Sequence, residues 1–296
     1  MAVTETNTKS SLHTRCNSLP SAPHPLISQH EEHLQRLKDS QATSSISSSS
    51  LCHKLDGLLD LHDCTDKLLQ LPIKQQVLAR ECSDKCVDDI LEGSLRLLDI
   101  CNTAKECLLI SKESIHELHS VIRRRKGDET VFTTEGGKYL ASRNKLNKAV
   151  RKSLRNLKDI TNESAVFPSN KDNDDALSVL SILTEAEEVT VRLLESLLLF
   201  ICDPKGQPKQ SRWSAISKLM QPKRVVCDSQ ESLANEFEKV DAALRSLLSH
   251  KPSSIDCFLS HFENLEMCIQ DLEIGVEHLS RKLVRNRVSL LNIFNH

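Results

Sequence analysis

One stretch decides the fold of this chain, residues 84–126, which read DKCVDDILEGSLRLLDICNTAKECLLISKESIHELHSVIRRRK. Small and apolar side chains recur in it at steps of three and four residues, which places them along one face of an α-helix. No proline interrupts the stretch, and its one glycine is Gly93. A helix of this length is roughly 60 Å long, so other segments must cover it. The apolar stripe consists of Val87, Ile90, Ser94, Leu97, Cys101, Ala104, Leu108, Ser111, Ile115, Leu118 and Ile122.

The end of the chain carries a second stripe of the same period. Two long helices with matching apolar faces are natural core partners. We therefore predict an all-α fold, an elongated bundle of long antiparallel helices, with Leu97 and Leu272 in its core. Asn286 interrupts the stripe, which marks either a fraying end or a docking point for a partner. The second stripe consists of Phe258, Phe262, Leu265, Ile269, Leu272, Val276, Leu279, Leu283, Asn286, Leu290 and Ile293.

Shorter patterns fill the chain between and before these stripes. The region from Gly127 to Gly137 is typical of a polar loop. Residues 73–82 form either a short separate helix or a lead-in to the long one. The apolar spacing predicts further helices over residues 51–71, 139–160, 176–201 and 229–248.

Residues 1–50 differ in composition from the rest. They are rich in Ser, Thr, Pro and His, and they lack an apolar period that would offset the entropy of ordering. We predict a mostly disordered tail with one short helix near residues 26–38, followed by a single helical-bundle domain over residues 51–296. A plastid transit peptide is an alternative interpretation of this acid-poor start.

Composition limits the classes of partner. The formal net charge is -2, so no global field attracts nucleic acid or acidic membranes. The chain has one tryptophan and one tyrosine, whereas binders of single-stranded nucleic acid need aromatic platforms. We expect no nucleic-acid partner. No apolar run reaches the roughly 18 to 20 residues that a membrane span needs.

Catalytic and metal-binding motifs are scarce. The sequence has no phosphate-binding glycine loop, nucleophile elbow or kinase motif. Glu113 and His116 have the spacing of a di-iron half-site, but no second such motif follows. Cys82 and Cys86 could share a helix face as half a metal site, and again no second pair follows at zinc-finger spacing. We expect no enzyme and no cofactor, and we interpret the eleven cysteines as small buried residues of a reducing compartment.

Basic residues are concentrated after the long helix and along the helix that follows it. No acidic residue lies between Glu135 and Asp159. A basic helical face is often only a solvated one, but it also suits an acidic protein or an anionic membrane surface. The candidate anionic-partner surface consists of Arg123, Arg124, Arg125, Lys126, Arg143, Lys145, Lys148, Arg151, Lys152, Arg155 and Lys158.

The tail holds a candidate phosphorylation site at Ser18. Arg15 lies three residues before it and Pro20 two residues after it. This spacing resembles ligands of 14-3-3 proteins, which capture phosphoserine with an arginine cluster. Phosphorylation adds about -1.5 to -2 charges, which would convert a weak segment into one that binds arginine. An ordinary polar tail with a chance match is the alternative.

Four stretches carry a resemblance to a known family. The chain resembles, in order and over nearly its whole length, a plant-specific family that includes the BYPASS proteins. The tryptophan-bearing segment at residues 213–220 is also similar to that family. The four stretches are Arg15-Cys-Asn-Ser-Leu-Pro20 with His24-Pro25, DDILEGSLRLLDIC at 88–101, Val121-Ile-Arg-Arg-Arg, and Arg285-Asn-Arg-Val-Ser-Leu-Leu-Asn-Ile293.

The resemblance implies a helical protein without known enzymatic activity. It also implies a link to root and shoot development and, for some members, partnership with exocyst subunits. The family has no established catalytic residues, so none are carried over to this chain. The resulting interpretation is a non-enzymatic helical adaptor of the cytoplasm. The alternative is a peripheral membrane or exocyst-associated trafficking factor that uses basic helix faces.

Overall fold

The fold was determined from a computed structural model. The structure describes residues 24–41, 47–124, 129–163, 174–202, 234–249 and 255–295. Within these ranges all regular structure is α-helical, as predicted. The described helices are α1 (Pro25–Gln41), α2 (Ser48–Leu69), α3 (Pro72–Glu81), α4 (Asp84–Arg124), α5 (Glu129–Glu163), α6 (Asp174–Cys202), α7 (Glu236–Leu248) and α8 (Ile255–Phe294).

Local sequence explains where the helices begin. The Ser47 hydroxyl caps α2 by accepting a hydrogen bond from the Ser50 amide at 3.2 Å. Pro72 occupies the first turn of α3, where its missing N–H costs nothing. Ser83 caps α4 by accepting from the Cys86 amide at 3.3 Å. Residues 72–81 are therefore a separate helix and not a lead-in to α4.

Helices α4 and α8 form an antiparallel pair at the centre of the fold. Lys112 of α4 forms an ion pair with Glu273 of α8 at 2.6 Å, and Lys105 of α4 pairs with Glu277 of α8. The partner on α8 therefore comes later in sequence as the residue on α4 comes earlier, which shows that the two helices run in opposite directions. Leu97 and Leu272 lie in the same buried hydrophobic cluster, as predicted. The overall elongated outline of the bundle stays a prediction, although each of these helices is roughly 60 Å long.

Helix α1 packs against α2 and contributes to the main core. Leu34 and Leu37 are buried in the same cluster as the apolar residues of α2. A side chain at Gly57 would lie 3.0 Å from Leu37, which shows how closely the two helices approach. Helix α1 covers the segment near residues 26–38 where the sequence predicted a short helix, and it packs against the core of the bundle.

Helix α5 begins about ten residues before the predicted start. Gly136 and Gly137 are helical, where the sequence favoured a polar loop. Gly136 lies at a close helix contact, because a side chain there would lie 3.1 Å from Leu244 of α7, whereas a side chain at Gly137 would have no neighbour within 4 Å. The glycine here permits packing and does not mark a turn.

The junction between α6 and α7 is held by one side chain. Asn235 caps α7 by accepting from the Glu238 amide at 2.9 Å, and its own amide donates to the Phe200 carbonyl at 3.0 Å. The rings of Phe200 and Phe237 meet edge to face with centroids 5.7 Å apart. Helix α7 therefore starts at Glu236, whereas the sequence predicted a helix from residue 229; residues 229–233 lie outside the described part of the chain.

Candidate anionic-partner surface

One face of α5 is exposed and strongly basic. The opposite face carries Leu146, Val150 and Leu154 into the core. This division follows the three-four spacing of the buried residues, which leaves the intervening positions in solvent. We call the exposed set the α5 basic face, and it consists of Lys145, Lys148, Arg151, Lys152 and Arg155.

Arg143 does not belong to this surface. Its side chain is 3% exposed and points into the core from the same stripe as Leu146. The guanidinium lies 4.4 Å from the ring centroid of Phe237, and its Nε is 3.7 Å from an Asp241 carboxylate oxygen. The prediction that Arg143 belongs to the exposed cations was wrong. It followed from the charge of the side chain and ignored the position of Arg143 in the apolar spacing of α5.

The Arg143 pair is a structural ion pair. Burial raises the pKa of the Asp241 carboxyl, while Arg143 and Arg245 act to lower it. Burial also raises the pKa of the neighbouring Tyr139 phenol. The Arg143 guanidinium is thus the buried counter-charge of Asp241, and the exposed Arg245, 3.9 Å from the same carboxylate oxygen, is a second one.

The arginines at the end of α4 lie far from the α5 basic face. Helices α4 and α5 are joined by four residues, which makes them antiparallel neighbours. The Ser114 and Ser142 hydroxyls are 3.0 Å apart and set the register. Arg123 lies nine residues beyond Ser114, and Arg151 nine beyond Ser142 in the opposite direction, so roughly 27 Å separates them along the hairpin.

The predicted surface is therefore two surfaces. Arg123 and Arg124 are exposed at one end of the α4–α5 hairpin, and the α5 basic face lies toward the other end. Residues close in sequence became distant because the chain reverses between them. Arg125, Lys126 and the side chain of Lys158 lie outside the described residues.

A buried polar layer crosses four helices, and the sequence did not predict it. His62 of α2 is hydrogen-bonded through Nε2 to Thr190 of α6 at 2.9 Å, and through Nδ1 to the Asn286 amide of α8 at 3.0 Å. Asn286 is thus neither a fraying point nor exposed to a partner, since it is 7% exposed. His62 stands four residues after the buried Leu58 and seven before the buried Leu69, within the apolar spacing of α2, a signal that could have located part of the layer.

His30 of α1 extends this layer. Its side chain is fully buried, and neither ring nitrogen has a hydrogen-bond partner among the described residues. Burial lowers the pKa of His30 to about 4, although Glu185 opposes the shift. Burial likewise lowers the pKa of His62 to about 4, and a charge on His30 would lower it further. Both imidazoles are neutral in the fold at neutral pH.

The histidines of α4 face a carboxylate of α8. Glu266 lies 3.4 Å from Nδ1 of His116 and 4.0 Å from Nδ1 of His119. His119 also packs on the Phe262 ring, with centroids 5.2 Å apart, so it is not a simple solvent-facing side chain. Within the described ranges no three His, Cys, Asp or Glu side chains are grouped to hold a metal ion.

The remaining sequence features fall on parts of the chain that the structure does not describe. Arg15, Ser18 and Pro20 precede the first described residue, and the tryptophan-bearing segment 213–220 lies between α6 and α7. Among the described helices, none has the length and apolarity to cross a bilayer.

A family model described as Protein BPS1 matches residues 54–293, from α2 through α8. The chain belongs to this family. Membership in the BPS1 family agrees with the resemblance to the BYPASS proteins, and the matched region contains both the buried polar residues His62 and Asn286 and the α5 basic face. No curated protein and no solved structure gave a significant match to the chain.

Proposed function

We propose that this BPS1-family chain is a non-enzymatic adaptor that docks on an acidic surface of a partner protein through the α5 basic face. The supporting observation is the five exposed cations within residues 145–155. No acid interrupts α5 between Glu135 and Asp159, and the whole chain carries a formal charge of only -2. The attraction for an anionic partner is therefore local to this face.

An acidic protein suits this face better than a bilayer does. Amphipathic helices that bind membranes firmly insert an apolar face below the headgroups. The apolar side of α5 is occupied, because Leu146, Val150 and Leu154 pack in the core. The α5 basic face would bind a membrane by charge alone, with a binding free energy of about 1 kcal/mol per cation. A peripheral membrane or exocyst-associated trafficking factor is the second candidate for that reason.

We also propose a biological setting from the resemblance to the BYPASS proteins. The adaptor would act in the cytoplasm, in root and shoot development, with exocyst subunits among its partners. This part of the proposal depends on the family and not on the geometry of α5.

A charge-reversal variant tests the docking face. We expect the full chain to bind immobilised poly-glutamate at 50 mM salt and to release it at 500 mM, because salt screens exposed charges. The triple change Arg151→Glu, Lys152→Glu and Arg155→Glu should abolish the binding. A matched control reverses three exposed cations on other helices, Lys67, Lys85 and Arg285, and should bind almost as well as wild type.

Vesicles separate the two candidate functions. Sedimentation with phosphatidylcholine vesicles, with and without 30% phosphatidylserine, measures adsorption to anionic lipid. Strong binding to the anionic vesicles with weak binding to poly-glutamate would favour the membrane candidate. Equal loss of binding in the α5 triple variant and the control triple variant would refute a specific docking face.

A further inference from the structure

Two cysteine sulfurs are in contact where α3 meets α4. Cys82 ends α3, and its amide donates to the Leu78 carbonyl at 3.3 Å. Cys86 lies in the first turn of α4. The Cys86 thiol donates to the Cys82 sulfur, with the two Sγ atoms 3.5 Å apart. Cys82 therefore lies at the C-cap of α3 and Cys86 on α4, so the two cysteines do not share one helix face as their spacing suggested.

The pair can be reached from solvent. Both side chains are half-buried, whereas Cys101, Cys107 and Cys268 are buried. Cys82 lines an open cavity of about 610 Å³ between the end of α3, the start of α4 and the end of α8. Arg80 also lines this cavity, and its apolar wall includes Phe294. A small molecule can approach the Cys82 sulfur through this opening.

We propose that Cys82 and Cys86 form a redox modification site, at which a low-molecular-weight disulfide such as glutathione disulfide converts the two thiols into an intramolecular disulfide. The Cys82 sulfur, after losing its proton, attacks one sulfur of glutathione disulfide and releases one glutathione. The Cys86 sulfur then attacks Cys82 in the mixed disulfide and releases the second glutathione. The protein loses two electrons and two protons, and one glutathione disulfide becomes two glutathione thiols.

The geometry favours closure over a lasting mixed disulfide. The sulfurs need to move from 3.5 Å to about 2.05 Å, the length of a disulfide bond. The second thiol reacts within the same molecule from a position already in contact, so its effective molarity exceeds the concentration of free glutathione. The bond would join the end of α3 to the start of α4 and fix the angle between them.

The environment sets the rate at which the site responds. Burial raises the pKa of the Cys82 thiol to about 12, with Cys86 and Glu81 acting in the same direction. Burial also raises the pKa of the Cys86 thiol, to which Asp89 contributes. Three charged residues, Arg80, Asp84 and Asp88, line the same cavity as Cys82. Exchange proceeds through the thiolate, so it is slow at pH 7 and faster at pH 8.5.

Trypsin provides a specific readout of the bond. Cleavage after Arg80, Lys85 and Arg96 separates the cysteines into peptides 81–85 and 86–96. The folded full chain is incubated at pH 8.5 with glutathione disulfide, blocked with N-ethylmaleimide and digested under denaturing conditions. We expect the two peptides to be joined before reduction and separate after it. A missed cleavage gives peptide 81–96 without a maleimide adduct, which reports the same bond.

Single variants test the order of events. Cys86→Ser should accumulate a glutathione adduct on Cys82, because the resolving thiol is missing. Cys52→Ser removes another half-buried cysteine and should leave the linked peptide unchanged. Circular dichroism confirms that each variant is folded. Maleimide on both cysteines of the wild-type protein, or a stable glutathione adduct on Cys82 of that protein, would overturn the proposal.

Discussion

The side-chain amide of Asn286 donates a hydrogen bond of 3.0 Å to Nδ1 of His62. The direction follows from the far side of the ring, where the Thr190 hydroxyl donates to the Ala186 carbonyl at 2.6 Å. Thr190 must therefore accept from Nε2 of His62, which lies 2.9 Å away. His62 is the neutral tautomer with its proton on Nε2, and the chain of donors runs from α8 through α2 to α6.

Replacing Asn286 by leucine should destabilise the protein, although it restores the apolar stripe of α8. The change leaves Nδ1 of His62 buried without a donor, and an orphaned buried polar atom costs about 1 to 3 kcal/mol. Urea unfolding followed by circular dichroism measures the loss. The double variant His62→Leu with Asn286→Leu should recover part of it, because neither partner is then left unpaired. A single variant as stable as wild type would contradict the importance of this bond.

The free energy of unfolding should fall as the pH decreases from about 6.5 toward 4. His62 and His30 have pKa values lowered to about 4 in the fold, so the unfolded chain binds more protons in this window. Each such histidine adds a slope of up to about 1.4 kcal/mol per pH unit. Urea unfolding at pH 7, 6 and 5 should show a shallower slope for His62→Asn. A slope for His62→Asn equal to that of the wild type would contradict the contribution of His62.

A charge at Leu97 should unfold much of the bundle. Leu97 is 6% exposed within the α4–α8 core, and burial of a leucine contributes about 1.5 to 3 kcal/mol before the cost of the buried charge is added. Leu97→Asp and Leu272→Asp should both lower the melting temperature strongly. Leu95, two residues away on α4, is 46% exposed and provides the control, since Leu95→Asp should melt close to wild type. Equal melting of all three variants would contradict the shared core.

Alanine variants of Arg143 and Lys145 should differ in their effects, since the first should lower stability and the second should weaken binding. Arg143→Ala removes the buried partner of the Asp241 carboxylate and leaves only the exposed Arg245, 3.9 Å away, so the cost should reach up to about 3 to 5 kcal/mol. Lys145→Ala changes an exposed residue and should alter stability by less than about 0.5 kcal/mol. Thermal unfolding distinguishes the two residues. A poly-glutamate assay at low salt should show weakened binding only for the lysine variant, provided that the arginine variant is tested below its melting temperature.

Phosphorylation of Ser18 should create a 14-3-3 binding segment. A synthetic peptide of residues 10–26 contains Arg15, Ser18 and Pro20. The phosphorylated form should bind 14-3-3 protein at least tenfold more tightly than the unmodified form, since the phosphate supplies the acceptors for an arginine cluster. Fluorescence anisotropy measures both affinities. Equal affinities would end this hypothesis, and a phosphorylated Arg15→Ala peptide tests the arginine separately.

The apolar spacing predicted most of the fold because long helices bury residues at regular intervals. Leu97 and Leu272 were assigned to the core from spacing alone, and both lie there. The same spacing contains Arg143, which stands four residues after Tyr139 and three before Leu146. Arg143 was predicted to lie on the surface because its charge was considered before its position in the stripe. A charged residue in an apolar stripe indicates a buried partner, and here that partner is Asp241.

The polar layer was harder to foresee because its members come from different helices. His62 and Asn286 each occupy a stripe position, but 224 residues separate them in sequence. Only the packing of α2 against α8 brings them together, and no local pattern specifies that register. The division of the basic residues had the same origin, since Arg123 and the α5 basic face became distant when α4 and α5 folded into a hairpin.

The bond from Asn235 to the Phe200 carbonyl has a practical consequence for engineering this chain. It holds the last turn of α6 beside the first turn of α7, so Cys202 and Ala234, the described residues on either side of positions 203–233, lie close to one shared contact. The closure entropy of a segment tethered in this way grows only slowly with its length, by about 0.6 kcal/mol per doubling. A fluorescent protein inserted between residues 203 and 233 should therefore leave the packing of α6 against α7 unchanged.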